Sequence, residues 1–250
     1  MKRPESRLLK IPLTAALTTM TQIPPAPQAS PPLVSPAQFL IDGPEDAPLT
    51  FAFAHGAGAP MDTPFMTVFA RHLAAEGLRV VRFEFPYMAR VRREGGRRPP
   101  NPAPVLLESW RQVAAALEGA LEGSAKLAVG GKSMGGRFAS IFAAQRAQQG
   151  QPLAAVACLG YPFHPPGKPA ALRVAHLKDL TTPTLIIQGR RDPFGTDAET
   201  PSYDLSPAIA FHWAEDGDHN LSPRKASGRT AEQNWRQAGA ALARFLKAQI

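Results

Sequence analysis

Leu127-Ala128-Val129-Gly130-Gly131-Lys132-Ser133-Met134-Gly135-Gly136-Arg137: in these eleven residues an apolar run passes straight into the pattern G-x-S-x-G and then into a segment with helical period. The apolar run suits a buried strand (126–130), and the segment that follows suits a helix (134–148). A serine between them occupies a tight strand-to-helix turn in a strained backbone conformation, so glycines two residues to either side relieve crowding. The turn lifts the hydroxyl above the sheet at the positive end of the following helix. Alone the pentapeptide is a short pattern that chance produces. Its place between a strand and a small-residue helix makes Ser133 a candidate nucleophile.

Outward from that turn the same alternation repeats. Short apolar runs at 38–41, 49–54, 79–85, 154–159, 184–188 and 208–213 read as strands, and helical periodicity marks 63–76, 104–121 and 230–247. Strands alternating with helices imply crossover connections. The expected fold is therefore three-layer α/β, a mostly parallel twisted sheet with helices on both faces. Ligands in such sheets bind beyond the carboxyl ends of the strands, so the loops after strands carry the function. One strand fits poorly, because Arg82 and Glu84 interrupt the run 80–85. A structural ion pair, between the two or with a loop arginine, is preferred to a substrate contact.

An acid and a histidine follow the serine in the order such a site requires. Asp192 lies just past the strand 184–188, where a carboxylate can hold an imidazole in one tautomer and stabilise its protonated form. His219 lies past the strand 208–213, in the loop Asp216-Gly217-Asp218-His219-Asn220. Asp216 and Asp218 are rivals for the acid role; Asp192 is preferred, since a carboxylate on a neighbouring strand end has better reach than one in the same tight loop. Hydrolysis of an ester also needs two donors aimed at the developing oxyanion. Met134 N–H would supply one. The loop His55-Gly56-Ala57-Gly58 after strand 49–54 would supply the other, from Ala57 first and Gly56 second. His164 is a candidate for the pocket wall, with loop packing as its alternative. No two histidines show metal-ligand spacing with a carboxylate nearby, so neither a metal nor a cofactor is expected.

Composition bounds the rest. The 250 residues, 44% hydrophobic with 20 glycines and 27 prolines, suffice for one domain with many loops. No run approaches the roughly 18 apolar residues of a membrane span, and no membrane association is expected. The single cysteine, Cys158, excludes an internal disulfide and reads as a small buried hydrophobe rather than a nucleophilic thiol. Of the net charge of +8, Lys2, Arg3, Arg7 and Lys10 against Glu5 place +3 in residues 1–36. The remainder comes with no zinc spacing and no basic–aromatic strand, so no nucleic-acid partner is expected. Residues 1–36 read as a disordered, proline-rich extension ahead of a domain over 37–250, with six prolines and no charge in 22–36. The rival readings are a diluted signal peptide and a start assigned upstream of Met20; a cytoplasmic location follows from the extension reading. Between strands, 161–182 is only 22 residues long and predicts a minimal lid. Arg90, Arg92, Arg93, Arg97 and Arg98 crowd what reads as the loop after strand 79–85. Solvated surface is one meaning; recognition of a substrate carboxylate or phosphate, by Arg92 and Arg93 above all, is the other.

At this point the motifs carry a resemblance. Segments 55–66, 82–88, 130–137, 159–169, 188–195 and 216–219 resemble a small family of predicted α/β-hydrolases related to dienelactone hydrolases. That family includes a testis-expressed protein and the hydrolase-like domain of a chromatin-complex subunit. The resemblance runs over most of 49–250, and Gly131-Lys132-Ser133-Met134-Gly135-Gly136-Arg137 is its most distinctive element. It implies the α/β-hydrolase fold and a triad of Ser133, Asp192 and His219. The reading is a serine hydrolase that forms an acyl-enzyme with a small-molecule ester or thioester. Its rival is a non-catalytic interaction module that keeps the three residues by descent. Peptidase and perhydrolase chemistry would use the same triad, and the substrate and oligomeric state are not legible.

Overall fold

The computed structural model describes residues 33–250, in which strands and helices alternate along the chain. The order is β1 (Leu40–Asp42), β2 (Leu49–Ala54), α1 (Pro64–Ala75), β3 (Arg79–Phe83), α2 (Pro86–Glu94), α3 (Ala103–Glu118), β4 (Lys126–Lys132), α4 (Met134–Gln148), β5 (Ala155–Leu159), β6 (Thr184–Gly189), β7 (Ile209–Ala214) and α5 (Ala231–Lys247). The seven strands lie in the order β1-β3-β2-β4-β5-β6-β7. Only the edge strand β1 is antiparallel, with Leu40 opposite Arg82; every other neighbour pairs parallel.

Successive side chains on a strand point to opposite faces, and the apolar residues use both. Phe51 and Phe53 of β2 and Ala128 of β4 join a core with Phe69 and Leu73 of α1 and Leu242 and Leu246 of α5. Ala52, Ala54, Leu127 and Val129 join the other core, with Trp110 of α3 and Phe142 of α4. There the Trp110 ring meets Phe83 edge-on at 4.9 Å between centroids and stacks over Phe142 at 6.2 Å. Both faces of the sheet are thus covered, and this is the three-layer α/β-hydrolase fold. Helix α5 starts where its sequence directs: Thr230 accepts from Gln233 N–H, and the Gln233 side chain accepts from Thr230 N–H in return.

Two expectations change, and the expected ion pair of Glu84 takes its second alternative, an arginine of the following stretch. Strand β3 stops at Phe83, and the stretch read as an arginine loop is the helix α2. Its Pro86 stands at the first helical position, where the missing N–H costs nothing, and Tyr87 and Met88 bury one side of an otherwise charged element. Arg82 and Glu84 are both buried but not with each other. Arg82 pairs with Asp42 of β1 at 2.7 Å, and Glu84 takes two bonds from Arg92 of α2, at 2.6 and 3.0 Å. Finally, Leu33 and Val34, assigned to the extension, pack on the domain: both N–H groups donate to the Gln112 side chain of α3, and Val34 is buried. Residues 1–32, where the rest of the extension falls, lie outside the described residues. Between β5 and β6 the chain forms only a short 3-10 turn, Ala175–Leu177, and no helical lid. Among the described residues no helix is long and apolar enough to cross a membrane.

Candidate active site

Ser133 sits between β4 and α4 with φ +51° and ψ −115°, a conformation that L-residues avoid. The turn closes tightly enough to require its glycines. A Cβ on Gly131 would lie 2.5 Å from the Ala54 carbonyl oxygen, and one on Gly135 would lie 2.6 Å from those of Ala54 and His55. The strand-to-helix turn therefore presses against the end of β2, and the first loop passes over the serine.

The tertiary fold brings Ser133, His219 and Asp192 into one chain of hydrogen bonds. The Ser133 hydroxyl donates to His219 Nε2 at 2.9 Å, and His219 Nδ1–H donates to Asp192 Oδ2 at 2.8 Å. Asp192 is fully buried just beyond β6, and its other oxygen accepts from Phe194 N–H at 2.9 Å. Gln188, the penultimate residue of β6, donates to Asp192 Oδ2 at 2.9 Å while its own carbonyl accepts from Tyr161 N–H at 2.6 Å. Both carboxyl oxygens are thus held by donors, which fixes Oδ2 toward the imidazole. Phe194 packs against the His219 ring in a tilted arrangement, 4.3 Å between centroids and 35° between planes.

The rival carboxylates are occupied elsewhere. Asp216 binds Arg224 and Arg191, and the Arg224 guanidinium holds its carboxyl down at about 2. Asp218 accepts from the N–H groups of Asn220 and Ser222 and shapes the loop that carries His219. That loop has a second anchor, which the sequence reading missed. The ammonium of Lys132, one residue before Ser133, donates to the His219 carbonyl at 2.6 Å. Burial pushes Lys132 down to about 8 against the opposing pull of Asp192 and Asp218.

The first loop is held from beneath. His55 Nδ1–H donates to the Gly56 carbonyl at 2.7 Å, while Phe85 N–H donates to His55 Nε2 at 3.1 Å. Both ring nitrogens are therefore committed to the neutral form, which burial also favours. The Tyr87 hydroxyl donates to the carbonyls of Ala57 and Gly56, at 2.8 and 3.3 Å. A trans peptide is flat, with C=O and N–H opposed. Drawing the Gly56 carbonyl toward His55 and Tyr87 therefore turns Ala57 N–H the other way. Among the described residues that N–H meets no intramolecular acceptor, nor does Met134 N–H at the start of α4. Gly56 itself lies close to the nucleophile, with its Cβ position 3.7 Å from Ser133 Cβ.

A cavity of about 580 Å³ opens over these groups. Gly56, Ala57, Lys132, Ser133 and His219 form its reactive end, and Phe65, Met66, Phe194 and Trp235 its apolar walls. Helices α1 and α5 supply three of those apolar residues, which look like ordinary core positions in a helical pattern. Three candidates do not line this cavity. His164 is buried outside the cavity, with Nδ1 bonded to the Pro165 carbonyl at 2.9 Å and Nε2 3.3 Å from Glu199, so loop packing is its role. Arg92 spends its guanidinium on Glu84 and Asp62, and Arg93 is exposed on α2 away from the cavity wall. Cys158 is fully buried, which pushes its thiol up and leaves no thiolate to react. Among the described residues no three His, Cys, Asp or Glu side chains converge as a metal site.

A strand-to-helix serine turn under a first-loop donor, on a mostly parallel sheet, defines the class as α/β-hydrolase-like. The chain belongs to the alpha/beta hydrolase domain family, whose model matches residues 47–247. Solved structures share the fold at low identity. A serine hydrolase homologue from Coxiella burnetii superposes with TM-score 0.60 at 18% identity, over 82% of this chain and 89% of that one. A serine hydrolase described as lacking a lid, from Xanthomonas campestris, gives 0.60 at 19% over 84% and 88%. A dienelactone hydrolase from Anabaena variabilis gives 0.57 at 19% over 81% and 88%.

Proposed function

We propose that this protein is a serine hydrolase acting on a small ester or thioester through an acyl-enzyme. The observation that carries the reading is the continuous relay from Ser133 Oγ through His219 to the buried Asp192, with both links under 3 Å. His219 takes the Ser133 proton as Oγ attacks the carbonyl carbon, and Asp192 stabilises the imidazolium. Negative charge then develops on the carbonyl oxygen, where Ala57 N–H and Met134 N–H are the donors without competing partners. Collapse expels the leaving group with the proton from His219. A water deprotonated by the same imidazole then releases the acid and restores the serine.

The subgroup suggested by Gly131–Arg137, with its testis-expressed and chromatin-subunit members, belongs to the same proposal. A fluorophosphonate probe tests it directly. Wild type should label on Ser133, while Ser133→Ala should not label and should lose on the order of 10⁴-fold or more in kcat. Asp192→Asn should suppress turnover, whereas Asp218→Asn, which alters no link of the relay, should cost far less. Equal hydrolysis by folded Ser133→Ala would overturn the assignment.

A further inference from the structure

A second cleft, of about 470 Å³, adjoins the cavity over Ser133 and shares three of its wall residues, Ala57, Gly58 and Pro60. Its far side is cationic. Arg92 comes from α2, and Arg97 and Arg98 come from the strap beyond it. That strap is built to fold back. Gly95 and Gly96 both hold positive φ, +73° and +79°, a pair of left-handed positions that reverses the chain after α2. The reversal sets two arginines against Met88 and Val91, on the same cleft wall.

The charges there do not balance. Glu84 and Asp62 are taken by Arg92, and the single carboxylate of Glu94 serves Arg90 and Arg98 together. Among the described residues Arg97 meets no carboxylate. Arg98 gives one Nη to Glu94 at 2.7 Å, but its Nε is buried and meets no acceptor. A buried donor without a partner forfeits the hydrogen bond that water gave it. Guanidinium groups recover that loss best with carboxylate or phosphate oxygens, which match their fork.

We infer that this cleft is the anion subsite of the active site, and that the substrate is an ester or thioester carrying a carboxylate or phosphate that Arg97 and Arg98 bind. The inference rests on the serine-hydrolase reading, because the shared loop wall is also the proposed oxyanion donor. One molecule then spans both spaces: its scissile carbonyl lies over Ser133, its apolar part against Phe65 and Trp235, and its charged end beyond Ala57. The cleft replaces Arg92 and Arg93 as the recognition element, since Arg92 is committed to structure and Arg93 faces elsewhere.

Two measurements test the subsite. Calorimetric binding of phenyl phosphate, an anion with a small apolar ring, needs no turnover. Arg97→Gln with Arg98→Gln should weaken it at least 10-fold, and raising salt from 50 to 500 mM should weaken wild-type binding as screening shortens. Arg97→Gln alone, which breaks no intramolecular pair, should give part of that loss in a chain that melts as wild type does. Steady-state rates on 4-nitrophenyl butyrate and on 4-nitrophenyl hydrogen glutarate compare a neutral with an anionic acyl group; 4-acetylphenyl and 4-phosphonooxyphenyl butyrates do the same for the leaving group. For one of the two pairs the double variant should raise KM for the anionic member about 10-fold and leave the neutral member within 2-fold. Phenyl phosphate binding unchanged by the double variant, or an equal effect on neutral and anionic esters, would overturn the subsite. Failure of Ser133 to label with fluorophosphonate would instead overturn the hydrolase reading, and the binding measurement separates the two.

Discussion

The hydroxyl of Tyr87 bonds the carbonyls of Ala57 and Gly56 and touches none of the reacting groups, so it acts by positioning. Tyr87→Phe keeps the ring's packing against His55 and removes only those bonds. Because an oxyanion donor is worth roughly 10²–10³ in kcat, loosening one should cost about 10-fold in kcat with KM little changed. Steady-state kinetics on one neutral ester check this; an unaltered kcat would reduce Tyr87 to a packing residue. Lys132 makes a different prediction. Burial lowers its folded pKa to about 8 from 10.5, so the folded state releases this proton first as pH rises. Between about pH 8 and 10.5 the unfolded chain binds more protons, and that difference makes stability increase with pH. Lys132→Met removes the group, so wild type should gain in melting temperature relative to the variant from pH 8 to 10. A constant gap would contradict the buried ammonium. Ser133, Asp192 and His219 were legible as residues because each stands just past an apolar run. Gln188, Tyr87 and Lys132 were not, since their roles depend on partners 4, 30 and 87 positions away.

At the scale of elements, α2 is the piece the sequence concealed. Nine residues with four charges lack the apolar stripe of a longer helix, and the proline before Tyr87 reads equally as a turn. Tertiary contacts hold it: Tyr87 and Met88 are buried beneath it, and Arg92 reaches back to Glu84 just past β3. Glu84 is buried, and it accepts from Met61 N–H as well as from Arg92. Glu84→Gln breaks the charge pairing while keeping the shape. Arg92 is half exposed, so the cost should fall below that of a wholly buried pair, at about 1–3 kcal/mol. Thermal melts check the loss, and an unchanged melting temperature would mean that α2 is held by Tyr87 and Met88 alone. Elements with long apolar periods, such as α4 and α5, kept their expected bounds within a residue because burial and periodicity agree there.

Over the whole molecule, the first described residues belong to the domain. Val34 packs into the core beside α3, and Gln112 accepts from two consecutive N–H groups. A chain beginning at Ala37 should therefore be less stable than one beginning at Leu33, by about 1–2 kcal/mol for the buried valine. For a domain of this size that is about 3–6 °C in melting temperature; equal melts would return residues 33–36 to the extension. Sequence reading placed the boundary late because 22–36 is proline-rich throughout, and composition cannot separate a free proline segment from one laid against a helix. Local information settled the class of fold and the turn at Ser133, and it singled out Asp192 and His219 as the proposed acid and base. Each follows from apolar periodicity or from a residue's place just past a strand, both short-range properties of the chain. The neutral, doubly bonded His55, the tethered Lys132, the apolar cavity walls from α1 and α5, and the arginines set against the second cleft depended on the folded molecule. Each of these is a meeting of segments distant in the chain, and such contacts exist only once both faces of the sheet have been packed.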